Sequence, residues 1–117
     1  SIFLPVSAPF HCSLMKPASK EMENKIEQTN FAKPSISLVS NVTAEPINQP
    51  NMIKNLLIKQ IYSKVRWRDS VLFMIKNGVN EFIEIGPGKV LSSLVKRISD
   101  KVSSKSVNSI DEIKNLK

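Results

Sequence analysis

The chain contains a single histidine, His11, and this is the side chain best suited to proton transfer near neutral pH. It follows Phe10 on a predicted loop, directly before a predicted helix. A neutral imidazole accepts a proton near pH 7, so His11 is a candidate general base. Position alone favours the simpler interpretation of a surface or helix-capping histidine.

The neighbouring Cys12 is a second candidate, as a nucleophile with His11 as its base. Adjacent residues usually point their side chains apart, and no third member of a triad is visible. A small buried thiol is therefore the favoured interpretation. One histidine and one cysteine also give no ligand spacing for a metal, so no metal site is predicted.

The glycine-rich turn at 86–89 invites comparison with phosphate-binding loops. A Walker loop needs Ser or Thr after the lysine, where Val90 stands, and an earlier glycine, where Ile83 stands. The dinucleotide-binding pattern needs a third glycine, where Leu91 stands. A structural turn between a strand and a helix is favoured, although backbone amides there could still face a ligand.

The net charge of +7 raises the question of nucleic-acid binding. The lysines are scattered over several predicted helix faces, and Tyr62 and Trp67 form no stacking platform with them. We therefore favour a solvated basic surface, which could still attract an acidic partner or an anionic ligand. No nucleic-acid partner is predicted.

Length and composition limit the remaining possibilities. At 117 residues and 41% hydrophobic, the chain is one domain or part of one. No apolar run approaches the roughly 20 residues that span a bilayer, so no membrane association is predicted. One cysteine excludes an internal disulfide framework and suits a reducing compartment, which predicts a cytoplasmic location.

Apolar spacing predicts alternating strands and helices, which is typical of the α/β class with a mainly parallel sheet. Asn51 is a predicted N-cap, and Asn77 and Gly78 a predicted helix end. Strands are predicted at 2–7, 36–39, 81–85 and 106–110, and helices from 13 to about 29, from 51 to about 61, at 69–76, at 90–98 and from 111 onwards.

Four segments taken in order resemble the carboxyl-terminal part of the malonyl-CoA:acyl carrier protein transacylase family, the acyltransferases of bacterial type II fatty acid synthesis. Each motif is weak singly, but the ordered set is specific and covers nearly the whole chain. The segments are 4–11 (LPVSAPFH), 40–44 (SNVTA), 59–67 (KQIYSKVRW) and 84–91 (EIGPGKVL).

The resemblance implies an α/β-hydrolase-like large subdomain with a small ferredoxin-like subdomain inserted. Residues 1–7 would be the last strand of the small subdomain, and residues 8–117 the carboxyl-terminal part of the large one. No bound cofactor is implied.

The resemblance also reverses the interpretation of His11, which becomes the catalytic base of a ping-pong reaction. A serine attacks the malonyl thioester of malonyl-CoA, and the phosphopantetheine thiol of acyl carrier protein then takes the malonyl group. The backbone carbonyl of Gln60 would orient His11, and Phe10 would favour malonyl over bulkier acyl groups. The serine itself lies in a Gly-x-Ser-x-Gly elbow, which does not occur in this sequence.

The resemblance thus implies a fragment that carries the base without its nucleophile. Its expected partners are acyl carrier protein, malonyl-CoA and a separate amino-terminal fragment bearing the serine. The alternative is a non-catalytic remnant or interaction module that binds acyl carrier protein. Restored transfer on mixing with the serine-bearing fragment would separate the two.

Without the activated serine, this chain alone should form no stable acyl-protein. Incubation with radiolabelled malonyl-CoA, followed by denaturing electrophoresis, should leave the protein band unlabelled. A covalent label on Cys12 would contradict this expectation.

Overall fold

Helices and strands are interspersed along the chain in a computed structural model that describes residues 8–116. The α/β class is thereby confirmed, and the predicted strand at 2–7 lies outside the described residues. The chain divides into two compact units between Ser70 and Val71. None of the helices within the described range is long and apolar enough to cross a membrane.

The first unit is built on two helices, α1 (Lys16–Gln28) and α2 (Pro50–Gln60), which pack against each other. A 3₁₀ turn at Ser13–Met15 leads into α1. Each α-helix has a proline in its first turn, where the missing N–H costs nothing. The predicted N-cap at Asn51 is wrong, because Pro50 already begins α2 and Gln49 takes the capping position.

A short antiparallel pair follows α1 in the chain. Strand β1 (Leu38–Val39) is the second half of the predicted strand at 36–39, and β2 (Pro46–Ile47) lies in a segment predicted as loop. Pro46 has no N–H to donate, which limits the pairing and hides β2 from sequence patterns. The parallel arrangement predicted for the sheet does not extend to this pair.

Helix α3 (Trp67–Lys76) contains the boundary between the units, and the second unit continues as a β–α–β arrangement. Strand β3 (Glu81–Ile85) pairs in parallel with β4 (Ser103–Val107), and α4 (Val90–Ile98) packs on both strands. This is the small parallel sheet of the fold. The positive φ of 94° at Gly78 fits its predicted place after the end of α3.

The predicted strand at 106–110 is wrong at its carboxyl end. Ser109 accepts a hydrogen bond from the backbone N–H of Glu112 at 3.2 Å, and the Glu112 carboxylate accepts one from the N–H of Asn108 at 2.6 Å. These two hydrogen bonds cap the start of α5 (Ile110–Lys114), so the strand has to end at Val107.

The start of α4 is capped from the neighbouring strand. Its N-cap residue, Lys89, makes no side-chain cap, but the Glu84 carboxylate accepts from the N–H groups of Leu91 at 3.2 Å and Ser92 at 2.8 Å. The Ser92 N–H is the main cause that holds the pKa of Glu84 below its usual value. Two of the amides at the start of α4, just beyond the glycine-rich turn at 86–89, are therefore occupied by the protein's own carboxylate.

Because its pKa is lowered on folding, Glu84 stabilises the fold when ionised, and this contribution is lost as the pH falls through the folded-state pKa. Glu84→Gln should therefore lower the protection factors of the Leu91 and Ser92 amides several-fold at neutral pH, and it should flatten the loss of protection that the wild type shows as acid protonates Glu84. NMR-detected exchange measures both effects.

Glu81→Gln is the matched control, since it removes a carboxylate from the same strand that pairs with Lys105 at 2.8 Å and caps no helix. Equal exchange in the two variants would show that the Glu84 cap contributes nothing.

Candidate active site around His11

The centre of the site is a contact between two residues that are 49 positions apart. The Nδ1 atom of His11 lies 2.9 Å from the backbone oxygen of Gln60, within the first unit. A carbonyl oxygen can only accept, so Nδ1 carries the hydrogen and donates it. The lone pair of the neutral ring is then on Nε2, which is the nitrogen left to act as a base.

The end of α2 explains why a carbonyl is available at this point. The last carbonyls of a helix have no partner within it. The Lys59 oxygen accepts from the N–H of Tyr62 at 3.2 Å, and the Ile58 oxygen from that of Ile61 at 3.4 Å, while the Gln60 oxygen faces His11. The Gln60 side chain instead donates to the Ser63 oxygen at 3.4 Å, so only its backbone meets the histidine.

The backbone of His11 is strained. Its φ of 57° lies in the left-handed region, which costs a non-glycine residue about 1–2 kcal/mol. The surrounding turn holds it there, with the Phe10 N–H bonded to the Ala8 oxygen at 2.9 Å and the Met15 N–H to the Cys12 oxygen at 3.0 Å. Such conformations persist where the structure fixes them, and they cluster at functional sites.

The two neighbours of His11 face different surroundings. Phe10 is 57% exposed, so its ring is open to solvent beside the histidine. Cys12 is half-buried, and its thiol donates to the Pro9 oxygen at 3.1 Å. The thiol is thus engaged within its own turn, but Cys12 is only half-buried, so the predicted small buried thiol is matched only in part.

Two further motif segments, 40–44 and 59–67, meet through Arg66. Its backbone N–H donates to the Asn41 oxygen at 2.8 Å, and its guanidinium donates to the Thr43 oxygen at 2.9 Å and to Asp69 at 3.0 Å. The sequence motifs contained Arg66, but nothing in their spacing indicated this role. Arg66 fixes the turn after β1 against the chain that follows α2.

A metal has no evident place in the part of the chain that the structure describes. Residues 8–116 hold no group of three or more His, Cys, Asp or Glu side chains that could bind one ion. What the arrangement offers chemically is one imidazole with a fixed tautomer and an exposed setting.

No protein-family model matches the chain. It is 40% identical over 113 residues to the malonyl CoA-acyl carrier protein transacylase of Bacillus subtilis, an alignment that covers 97% of this chain and 36% of that protein. The chain spans about a third of the length of the curated relatives it matches.

Solved structures agree. An acyl carrier protein S-malonyltransferase from Vibrio cholerae superposes with a TM-score of 0.88 at 42% identity, over 97% of this chain and 37% of that one. A malonyl-transacylase in complex with its type II PKS acyl-carrier protein gives 0.85 at 38% identity, over 94% of this chain and 36% of that one. The resemblance predicted from the four motifs is confirmed.

Proposed function

We propose that this chain supplies the general base for malonyl transfer, because it matches about a third of the length of malonyl CoA-acyl carrier protein transacylases. The reaction would move a malonyl group from malonyl-CoA to the phosphopantetheine thiol of acyl carrier protein. One observation carries the proposal: His11 Nδ1 lies 2.9 Å from the Gln60 carbonyl oxygen, which leaves Nε2 to receive a proton.

In the first half-reaction, Nε2 takes the proton of a serine hydroxyl as that oxygen attacks the malonyl thioester carbonyl. The tetrahedral intermediate then collapses, the carbon–sulfur bond breaks, and the CoA sulfur leaves with the proton from Nε2. In the second half-reaction, Nε2 takes the proton of the phosphopantetheine thiol, whose sulfur attacks the acyl-serine ester. The serine oxygen leaves and recovers its proton from Nε2.

The serine has to come from another segment, since this sequence contains no Gly-x-Ser-x-Gly elbow. A separate amino-terminal fragment is one source. We also propose that residues 8–117 belong to the large, hydrolase-like subdomain and residues 1–7 to the inserted ferredoxin-like one. The β–α–β arrangement from β3 to β4 suits the larger subdomain.

A neutral carbonyl differs from the carboxylate that orients histidine in many triads. It fixes the tautomer through a single hydrogen bond and brings no negative charge to the ring. Any residue at position 60 would provide the same oxygen. We therefore assign the orienting role to the Gln60 backbone.

The proposal names two binding partners, the malonyl group of malonyl-CoA and acyl carrier protein. Phe10, exposed beside His11, would border the acyl group and favour malonyl. Acyl carrier protein would be the acceptor, and a related malonyl-transacylase is solved in complex with such a carrier. The net charge of +7 would draw an acidic partner to this chain in the cytoplasm.

The missing elbow favours one second candidate, a non-catalytic module that binds acyl carrier protein. Replacing the matching third of the Bacillus subtilis relative with this chain tests both. Malonyl transfer by the chimaera supports the base role, whereas carrier binding without transfer supports the module.

In that chimaera, His11→Ala should lower the transfer rate by about 10²–10⁴-fold, because it removes the general base. Gln60→Ala should cost far less, because alanine presents the same backbone oxygen. Steady-state transfer to acyl carrier protein measures the rates, and circular dichroism checks that both variants fold.

An unchanged rate in His11→Ala would refute the base assignment. A loss in folded Gln60→Ala as deep as that in His11→Ala would show that the side chain, not the carbonyl, orients the ring.

A further inference from the structure

Lys54 stands out among the lysines because its side chain is largely buried. Only 15% of it is exposed, although it projects from the middle of α2. A buried ammonium is costly unless its charge and hydrogens are matched. Its surroundings therefore indicate what it does.

Those surroundings are all at the carboxyl end of α1. The Nζ atom donates to the Glu27 backbone oxygen at 2.8 Å, lies 4.0 Å from the Glu27 carboxylate and sits 5.6 Å from the centre of the Phe31 ring. A cation at this helix end also meets the negative end of the helix dipole. Lys54 thus caps α1 from α2.

Ser19 makes a further contact between the helices, and Lys16 contacts the turn that directly follows α2. Buried Ser19 donates to the Ile58 oxygen at 3.3 Å, and the Lys16 ammonium lies 5.9 Å from the centre of the Tyr62 ring. Positions increase along α1 as they decrease along α2, so the helices run antiparallel. The contacts form one row along the pair, with His11 and Gln60 at its other end.

We propose that Lys54 is a positioning residue for His11, because it fixes the register of α1 on α2 that holds Nδ1 against the Gln60 oxygen. Lys54 lies six residues, or about 9 Å of helix, from Gln60, so it acts through the helix pair and does not touch the imidazole. A shift of His11 by about 1 Å along the line of this bond would lengthen it from 2.9 Å beyond its useful range. The catalytic meaning of this role rests on the proposed function.

The single histidine makes the test direct. In the full chain labelled with ¹⁵N, NMR of the neutral ring should show hydrogen on Nδ1 in the wild type. Lys54→Met keeps the apolar stem but loses the ammonium, and it should raise the population of the Nε2–H tautomer several-fold. Lys54→Arg, which keeps a cation, should recover much of the Nδ1–H form.

Lys59→Met is the matched control. Lys59 is exposed on the same helix, and its loss removes the same charge from the residue adjacent to Gln60. Its tautomer should match the wild type, because it does not hold the two helices together. Equal shifts in Lys54→Met and Lys59→Met would assign the effect to charge alone and overturn the proposal.

A folded Lys54→Met chain with the wild-type tautomer would also overturn it. Should Lys54→Met fail to fold, Phe31→Leu removes the ring beside the ammonium while retaining apolar volume. That variant should shift the tautomer in the same direction, and no shift would count against Lys54. The tautomer is read without any activity, so an inactive chimaera with the expected tautomers would refute the proposed function alone.

Discussion

The first unit depends on one requirement, that the backbone oxygens at the end of a helix find donors outside it. Helices α1 and α2 meet this requirement reciprocally. The oxygen of Glu27, in the last turn of α1, accepts from Lys54 on α2, while the oxygen of Gln60, which ends α2, accepts from His11 just ahead of α1. The candidate site is therefore half of the same arrangement that joins the two helices.

In the second unit the unpaired backbone groups are the N–H groups at the amino end of a helix, and a negatively charged side chain accepts their hydrogen bonds. The N–H groups at the start of α4 are donors, and the acceptor is the Glu84 carboxylate from β3. Two serines extend the attachment to β4: Ser92 donates to the Lys105 oxygen at 3.2 Å, and Ser104 to the Ser92 oxygen at 3.0 Å. A glycine-rich turn before a helix thus resembles a ligand loop in sequence while serving as a structural joint.

Sequence patterns predicted the elements with strong local signals. The bounds of β3 and α4 are those predicted, because an alternating or helical run is closed there by glycine or polar residues. Local patterns failed where a neighbouring segment decides the outcome. Strand β2 is defined by its pairing with β1, which lies in another segment. Strand β4 ends before the predicted residue 110 because Ser109 caps α5.

The site was predictable only through family resemblance. The spacing of His11 and Gln60 carries no periodic signal, since a contact across 49 residues is set by how two helices pack. Lys54 and Ser19 gave no signal at all, because lysine and serine on a helix normally face water. Their burial is visible only in three dimensions.

The contact made by the Gln60 oxygen has a consequence for how such a site changes over generations. The oxygen that contacts Nδ1 of His11 belongs to the backbone, which all twenty amino acids share, so a codon change at position 60 leaves that atom in place. The contact depends on α2 ending at Gln60 and on the path of the segment that carries His11. Comparisons that search for invariant side chains would overlook this half of the pair, because its oxygen belongs to the backbone.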